Sequence, residues 1–317
     1  MSEATSDTPS RNDRKVVLYR NGSVYTAADP FATAILVDGD TVAWVGSEQA
    51  ASSIADDSME IIDLRGGLVA PGFVDSHVHL TETGIALDSL QLGHIRSARQ
   101  LLDAVSSAPG NGRVLGHGWD ESTWEDASLP TAEELERASG GRQVYLSRAD
   151  VHSALVSSSL AATAGLPQLD GFSPTGHLKR SAHHAARQAT RDLPEDALRH
   201  YQRRALAEAA ANGYVAAAEM GAPQIGGMAD LRLAAAWNNA GPGSEPLPEV
   251  LPYWGELALT GEHARSILAD LGVPVRGLAG DLNIDGSIGS RSAALRSDYS
   301  DAPWDHGSLF LSAHQAA

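Results

Sequence analysis

The stretch Pro71-Gly72-Phe73-Val74-Asp75-Ser76-His77-Val78-His79-Leu80 decides the fold reading. It closes a near-continuous apolar run, Leu68–Val74, broken only by Pro71-Gly72, and then turns polar at once. A run of this kind suits a strand buried on both faces, as in a parallel sheet. Side chains alternate along a strand, so His77 and His79 point the same way. Both imidazoles can then reach one metal ion from the C-terminal end of that strand. Neutral imidazole suits zinc, nickel, iron and manganese alike, so the spacing leaves the metal open. The competing reading of an isolated His-x-His is a solvated pair after a strand. The apolar run, the Pro-Gly step and Asp75 ahead of the pair favour the metal.

Working outward, the segment before Gly66 is made of short strands. Val16–Tyr19, Ser23–Thr26, Ala34–Val37, Thr41–Val45 and Ile61–Asp63 are separated by turn signals such as Asn21-Gly22 and Asp38-Gly39. This pattern reads as a small β-sandwich. After the histidines, strands alternate with helices. Ala98–Ser106, Thr131–Ala138, Met228–Ala240 and Glu262–Leu271 read as helices, and Ala186–Asn212 as a long one with a break at Leu193-Pro194. Thr131 and Glu134 have capping-box spacing. Arg113–Gly116, Gln143–Ser147, Tyr214–Ala218 and Val250–Tyr253 read as strands, and Val275–Asp281 runs toward another. Such alternation predicts a βα architecture of the α/β class. The polar residues 1–14 carry no apolar core of a signal peptide and read as a disordered leader.

Composition narrows the function classes. Forty acidic against 23 basic residues give a formal net charge of −17. Such a surface repels nucleic acid and anionic membranes, so neither is expected as a partner. There is no cysteine. That excludes disulfides, zinc–thiolate sites and a thiol nucleophile, so a metal must rest on His, Asp, Glu or a modified Lys. No apolar run approaches the roughly 20 residues of a membrane span. The expected setting is the cytoplasm and the expected partner a small-molecule substrate, with self-association into a homo-oligomer compatible with both.

Three further segments follow the His-x-His stretch in order: Gly118-Trp119-Asp120-Glu121, Arg148 to Val156, and Asp285-Gly286-Ser287 to Leu295. Together they resemble the amidohydrolase superfamily, in its family 3 branch of YtcJ-like hydrolases and N-substituted formamide deformylases. The resemblance runs from about Val16 onward. It implies a partial metal-dependent-hydrolase TIM barrel, about strands one to four, within residues 69–317. Strands two to four would fall near Tyr214, Val250 and Val275. Residues 15–68 would be the N-terminal part of a β-sandwich. About 80–192 would be a large insertion after strand one, lying over the active-site mouth. The implied chemistry is attack of metal-activated water on an amide or formamide carbon, with a carboxylate passing the proton to the leaving nitrogen. The cofactor is a divalent metal, zinc being the expected ion.

The same resemblance implies site residues. His77 and His79 would be metal ligands. Asp281 stands where the family carries a lysine, and would supply a carboxylate directly to a single metal. Trp119, Asp120, Asp150 and His152 would line the substrate pocket. The superfamily's two later histidines and its general-base Asp do not occur, so no catalytic residue is assigned here and the base is expected downstream. The chain thus reads as C-terminally truncated, a fragment or truncated product holding about half a barrel with open strand edges. Two other functions compete: an inactive fragment or pseudoenzyme, and a related hydrolase of a cyclic amide or ester. Blander readings accompany several residues. Trp119 could be a packed core residue. Asp150 and His152 could fix their own loop, and Asp285, Ser287 and Arg291 the strand-four loop. His183-His184 reads as solvated, and the arginines of 187–204 as a charged helix face.

Overall fold

The structure, a computed structural model, describes residues 15–239, 243 and 245–316. The stretch read as a leader, 1–14, lies outside them, as does Ala240, where one helix was expected to end. The chain divides into two units, Met1–Gly72 and Phe73–Ala317.

The first unit contains β1 (Val16–Arg20), β2 (Ser23–Val24), β3 (Ala34–Asp38), β4 (Thr41–Gly46), α1 (Glu48–Ile54), β5 (Glu60–Asp63) and β6 (Leu68–Val69). Four strands form one sheet in the order β4-β3-β1-β5, and β2 pairs with β6 as a parallel ribbon. Period-two alternation sorts the side chains. Leu18 and Ala34 meet Ala51 of α1 on one face, while Ile35 and Tyr19 meet Val24 and Val69 on the other. Helix α1 was not anticipated. Its signal is Ser47, whose hydroxyl accepts from Ala50 N at 3.2 Å as an N-cap.

The second unit opens with β7 (Phe73–Val78), α2 (Leu80–Asp88), β8 (Leu90–Gln91), α3 (Ala98–Ser106), β9 (Val114–Trp119) and α4 (Ala132–Ala138). It continues through β10 (Val144–Arg148), β11 (Ser153–Val156), α5 (Ser158–Thr163), β12 (His177–Lys179), α6 (Arg180–Thr190) and α7 (Glu195–Ala211). It then runs through β13 (Tyr214–Gly221), α8 (Gly227–Ala236), β14 (Glu249–Trp254) and α9 (Gly261–Leu271) to a last short helix, α10 (Ala313–Ala316). The fold is mixed α/β. The capping box is present as spaced: Glu134 N donates to Thr131 Oγ1 at 3.2 Å, and Thr131 N to Glu134 Oε2 at 2.8 Å.

Two sheets organise this unit. One is parallel, in the order β14-β13-β7. Helices α2, α7 and α8 pack beside it through Leu80, Leu206, Ala234 and Val250. The other has the order β12-β11-β10-β9-β8 and is built entirely from the stretch read as an insertion. Leu101, Leu135 and Leu146 pack on one of its faces, and Tyr145, Leu160 and Ala182 on the other. The alternation of Tyr145 and Leu146 along β10 supplies both layers.

Three expectations need correction. The run Leu68–Val74 is not one strand buried on both faces: Pro71-Gly72 separates β6 from β7, and Leu68, Phe73 and Val74 are 69%, 63% and 55% exposed. Among the described residues β7 pairs only with β13, so no strand pairs with its other edge. The stretch 275–281 forms no strand among the described residues; a single parallel bridge joins Gly277 to Tyr253. The long helix begins at Arg180 and not at Ala186, while the break expected at Leu193-Pro194 is present, with Pro194 as the N-cap of α7.

Candidate metal centre

β7 ends at Val78, and the next residue, His79, is the N-cap of α2. The strand alternation therefore delivers His77 and His79 to one place, with ring centroids 5.2 Å apart and planes at 82°. Asp281 arrives from the irregular segment after α9. Its Oδ1 lies 3.3 Å from His77 Nε2 and its Oδ2 lies 2.8 Å from His79 Nε2. One ligand atom from each of the three lies within 4.8 Å of the others. Burial opposes ionisation of Asp281. The His79 hydrogen bond and the charges of His79, His77 and Arg187 outweigh it and hold the carboxyl below its ordinary range. His79 Nδ1 is buried and meets no hydrogen-bond partner. Two imidazoles and one carboxylate converging at this range fit a divalent first-row cation.

The scaffold behind the histidines is a buried polar network. Glu219 on β13 stands beside Val78 in register, is 3% exposed, and accepts from Leu80 N at 2.7 Å through Oε2. It thereby holds the first turn of α2, directly after His79. Burial pushes its carboxyl up to about 8, with the Leu80 hydrogen bond pulling the other way and the charges of Asp230 and Asp281 adding to the rise. Asp230 Oδ1 accepts from Thr81 Oγ1 at 2.7 Å and from Gln202 Nε2 at 2.9 Å, tying α2 to α7 and α8. Glu219 directly follows the strand expected at Tyr214–Ala218. Its depth in the sheet was not legible.

A cavity of about 550 Å³ opens beside His77 and His79. Ile85, Leu87, Leu115 and Val151 give it apolar walls, and Tyr145, His117 and Arg187 place polar groups in it. Tyr145 and Leu115 come from the five-stranded sheet, so the stretch after β7 does shape this cavity. His183, expected to be solvated, is 2% exposed, and its Nε2 lies 3.0 Å from the Tyr145 hydroxyl. Burial drives its imidazole down to about 3, with the charge of Arg187 adding to the effect. The reading of 187–204 as a charged helix face also fails for two residues: the side chains of Arg187 and Arg191 are only 15% and 6% exposed. Each Arg lies on the face of α6 that turns inward, and one sequence cannot show that orientation.

The four residues expected to line the pocket cluster elsewhere. None is among the groups lining this cavity. Trp119 is fully buried and donates from Nε1 to the Leu146 carbonyl at 2.9 Å, so it packs in the core and presents no wall. Asp120 and Asp150 accept from the Arg148 guanidinium at 2.6 and 3.1 Å, and Glu121 does so at 2.8 Å. A buried guanidinium needs such partners. Asp150 also accepts from Ser290 Oγ at 2.8 Å, tying the Asp285–Leu295 segment to β10. His152 is exposed, and its backbone N donates to Asp150 at 3.2 Å.

Comparison with known proteins agrees with the motif reading. Residues 60–313 match the model of the Amidohydrolase family. The chain is 30% identical over 165 residues to YtcJ of Bacillus subtilis (strain 168), covering 49% of this chain and 31% of that one. It is 26% identical over 157 residues to the N-substituted formamide deformylase of Arthrobacter pascens, covering 48% and 29%. Among solved structures it resembles a metal-dependent hydrolase from Pyrococcus furiosus, with a TM-score of 0.66 and 26% identity over 95% of this chain and 63% of that one. The chain thus spans less than a third of the curated relatives it matches here. No helix among the described residues is long and apolar enough to cross a membrane.

Proposed function

The chain belongs to the amidohydrolase family, and we propose on that premise that the protein is a metal-dependent hydrolase of amide-type carbon–nitrogen bonds outside peptides. The observation that carries this reading is the convergence of His77, His79 and Asp281 at 3.3 and 2.8 Å beside a partly apolar cavity. The three would hold one divalent cation, zinc being the expected ion. When bound there, such a cation supplies Lewis acidity to an amide carbonyl and acidifies water at neutral pH. The chain's own residues do the rest of what can be assigned. Glu219 fixes the turn that carries His79. The apolar walls seat the substrate and keep bulk water from the scissile bond. A small amide or formamide is the proposed substrate, the deformylase relative supporting the formamide. In this reading β7, β13 and β14 are the first three strands of a TIM barrel, whose active site lies at the C-terminal strand ends. Residues 15–68 form part of an accompanying sandwich.

The test is metal analysis of the purified protein together with amine release from a panel of N-substituted formamides and acetamides. The expected result is about one divalent metal per chain and turnover that a chelator abolishes. His77→Ala and His79→Ala should each lose metal and lower turnover at least about a hundredfold. Full turnover in either variant would overturn the assignment.

A further inference from the structure

We propose that Arg187 forms a carboxylate-binding subsite in the cavity beside His77 and His79, so that the substrate is a small amide that also carries a carboxylate. This rests on the hydrolase reading and names its substrate class. Arg187 and Arg191 stand four residues apart at the end of α6 and share a face. Both line the cavity, and so does Glu82 from α2. Two guanidiniums and one carboxylate leave one positive charge in excess on that wall. The guanidinium of Arg191 is the nearer of the two to Glu82, although its two terminal nitrogens are buried without a hydrogen-bond partner. Arg187 approaches the same carboxylate only to 3.4 Å, its one ion-pair partner among the described residues.

A guanidinium this enclosed is costly unless its donors are used. Burial lowers the affinity of Arg187 for its proton, and the Asp281 carboxylate works against that. Arg187 and Tyr145 both line the cavity. The planar fork of arginine matches a carboxylate with two parallel hydrogen bonds, which a lysine does not reproduce. The apolar walls at Ile85, Leu87, Leu115 and Val151 suit a hydrocarbon body between the carboxylate and the amide. A volume of about 550 Å³ admits a small molecule.

Calorimetric titration of the full protein with benzoate and with its neutral counterpart benzamide tests this, with metal content measured on every sample. Benzoate should bind at least about tenfold more tightly than benzamide. Arg187→Gln should erase that preference without lowering metal content or the affinity for benzamide. Arg187→Lys, which keeps the charge and loses the fork, should retain only part of the preference; it serves where the Gln variant does not fold. Equal binding of the two probes overturns the proposal. So does a benzoate preference that survives Arg187→Gln and vanishes on metal removal, since the carboxylate would then sit on the metal. A protein that binds no metal but keeps the Arg187-dependent preference would retain the subsite and sink the hydrolase reading alone.

Discussion

At the scale of single residues, Glu219 is the group whose role depends most on depth. On β13 it is one polar residue after three alanines; in the sheet it is an enclosed acid holding the start of α2. Its folded carboxyl, at about 8, lies above the ordinary 4.5. The folded state therefore keeps a proton that the unfolded state releases. That contribution is fully present below pH 4.5 and is lost as pH rises from 4.5 to 8. The slope is about 1.4 kcal/mol per pH unit at most. Glu219→Gln, which leaves an acceptor for Leu80 N, should gain stability over the parent across this window and none below it. Denaturant melts at several pH values give the difference, in which the titrations of His183 and other groups cancel. A difference that stays flat with pH would show that Glu219 is ionised when folded. The second residue-scale lesson is Arg187: its charge is plain in the sequence, while its inward direction is not.

At the scale of elements, the helix carrying the metal-ligand turn is held by close approach as well as by the buried network. A Cβ added at Gly84 of α2 would come within 2.0 Å of the Tyr201 carbonyl oxygen on α7. Gly84→Ala should therefore destabilise the protein by about 1–3 kcal/mol through overpacking, although alanine is the better helix former. A thermal melt checks this; an unchanged or raised Tm would mean that α2 and α7 sit further apart. The ends of α3, α4 and α9 were legible within a residue, because caps are local. Thr131→Ala should cost about 1 kcal/mol by removing the Thr131 half of the capping box at α4, read from the same melts. Strand centres such as Val114, Val144 and Val250 were legible from apolar runs. The start of α6 and the missing strand at 275–281 were not, since both depend on what lies alongside.

At the scale of the whole molecule, two opposed features govern how copies of this chain meet. Phe73, Val74 and Val215 are 63%, 55% and 56% exposed on β7 and β13, and β7 has a free edge among the described residues. Such surface favours self-association. The net charge of −17 opposes it. Raising the salt concentration screens that repulsion, so light scattering should show association of the 317-residue chain increasing with ionic strength. Replacing Val74 and Val215 by threonine should blunt the rise with little change in Tm, because both side chains already face solvent. Association that falls with salt would point to ion pairing between copies instead. Local order and chemistry were set by the sequence alone: strand alternation pairs His77 with His79, caps start the helices, and composition removes thiol chemistry. These depend on neighbours a few residues apart and on residue counts. Tertiary structure alone decided that Trp119 and Asp150 serve the core and a loop, that Glu219 is enclosed and that Arg187 faces a cavity. Each of those depends on which distant segment packs against which, and on the desolvation that follows, neither of which is written in any short stretch of chain.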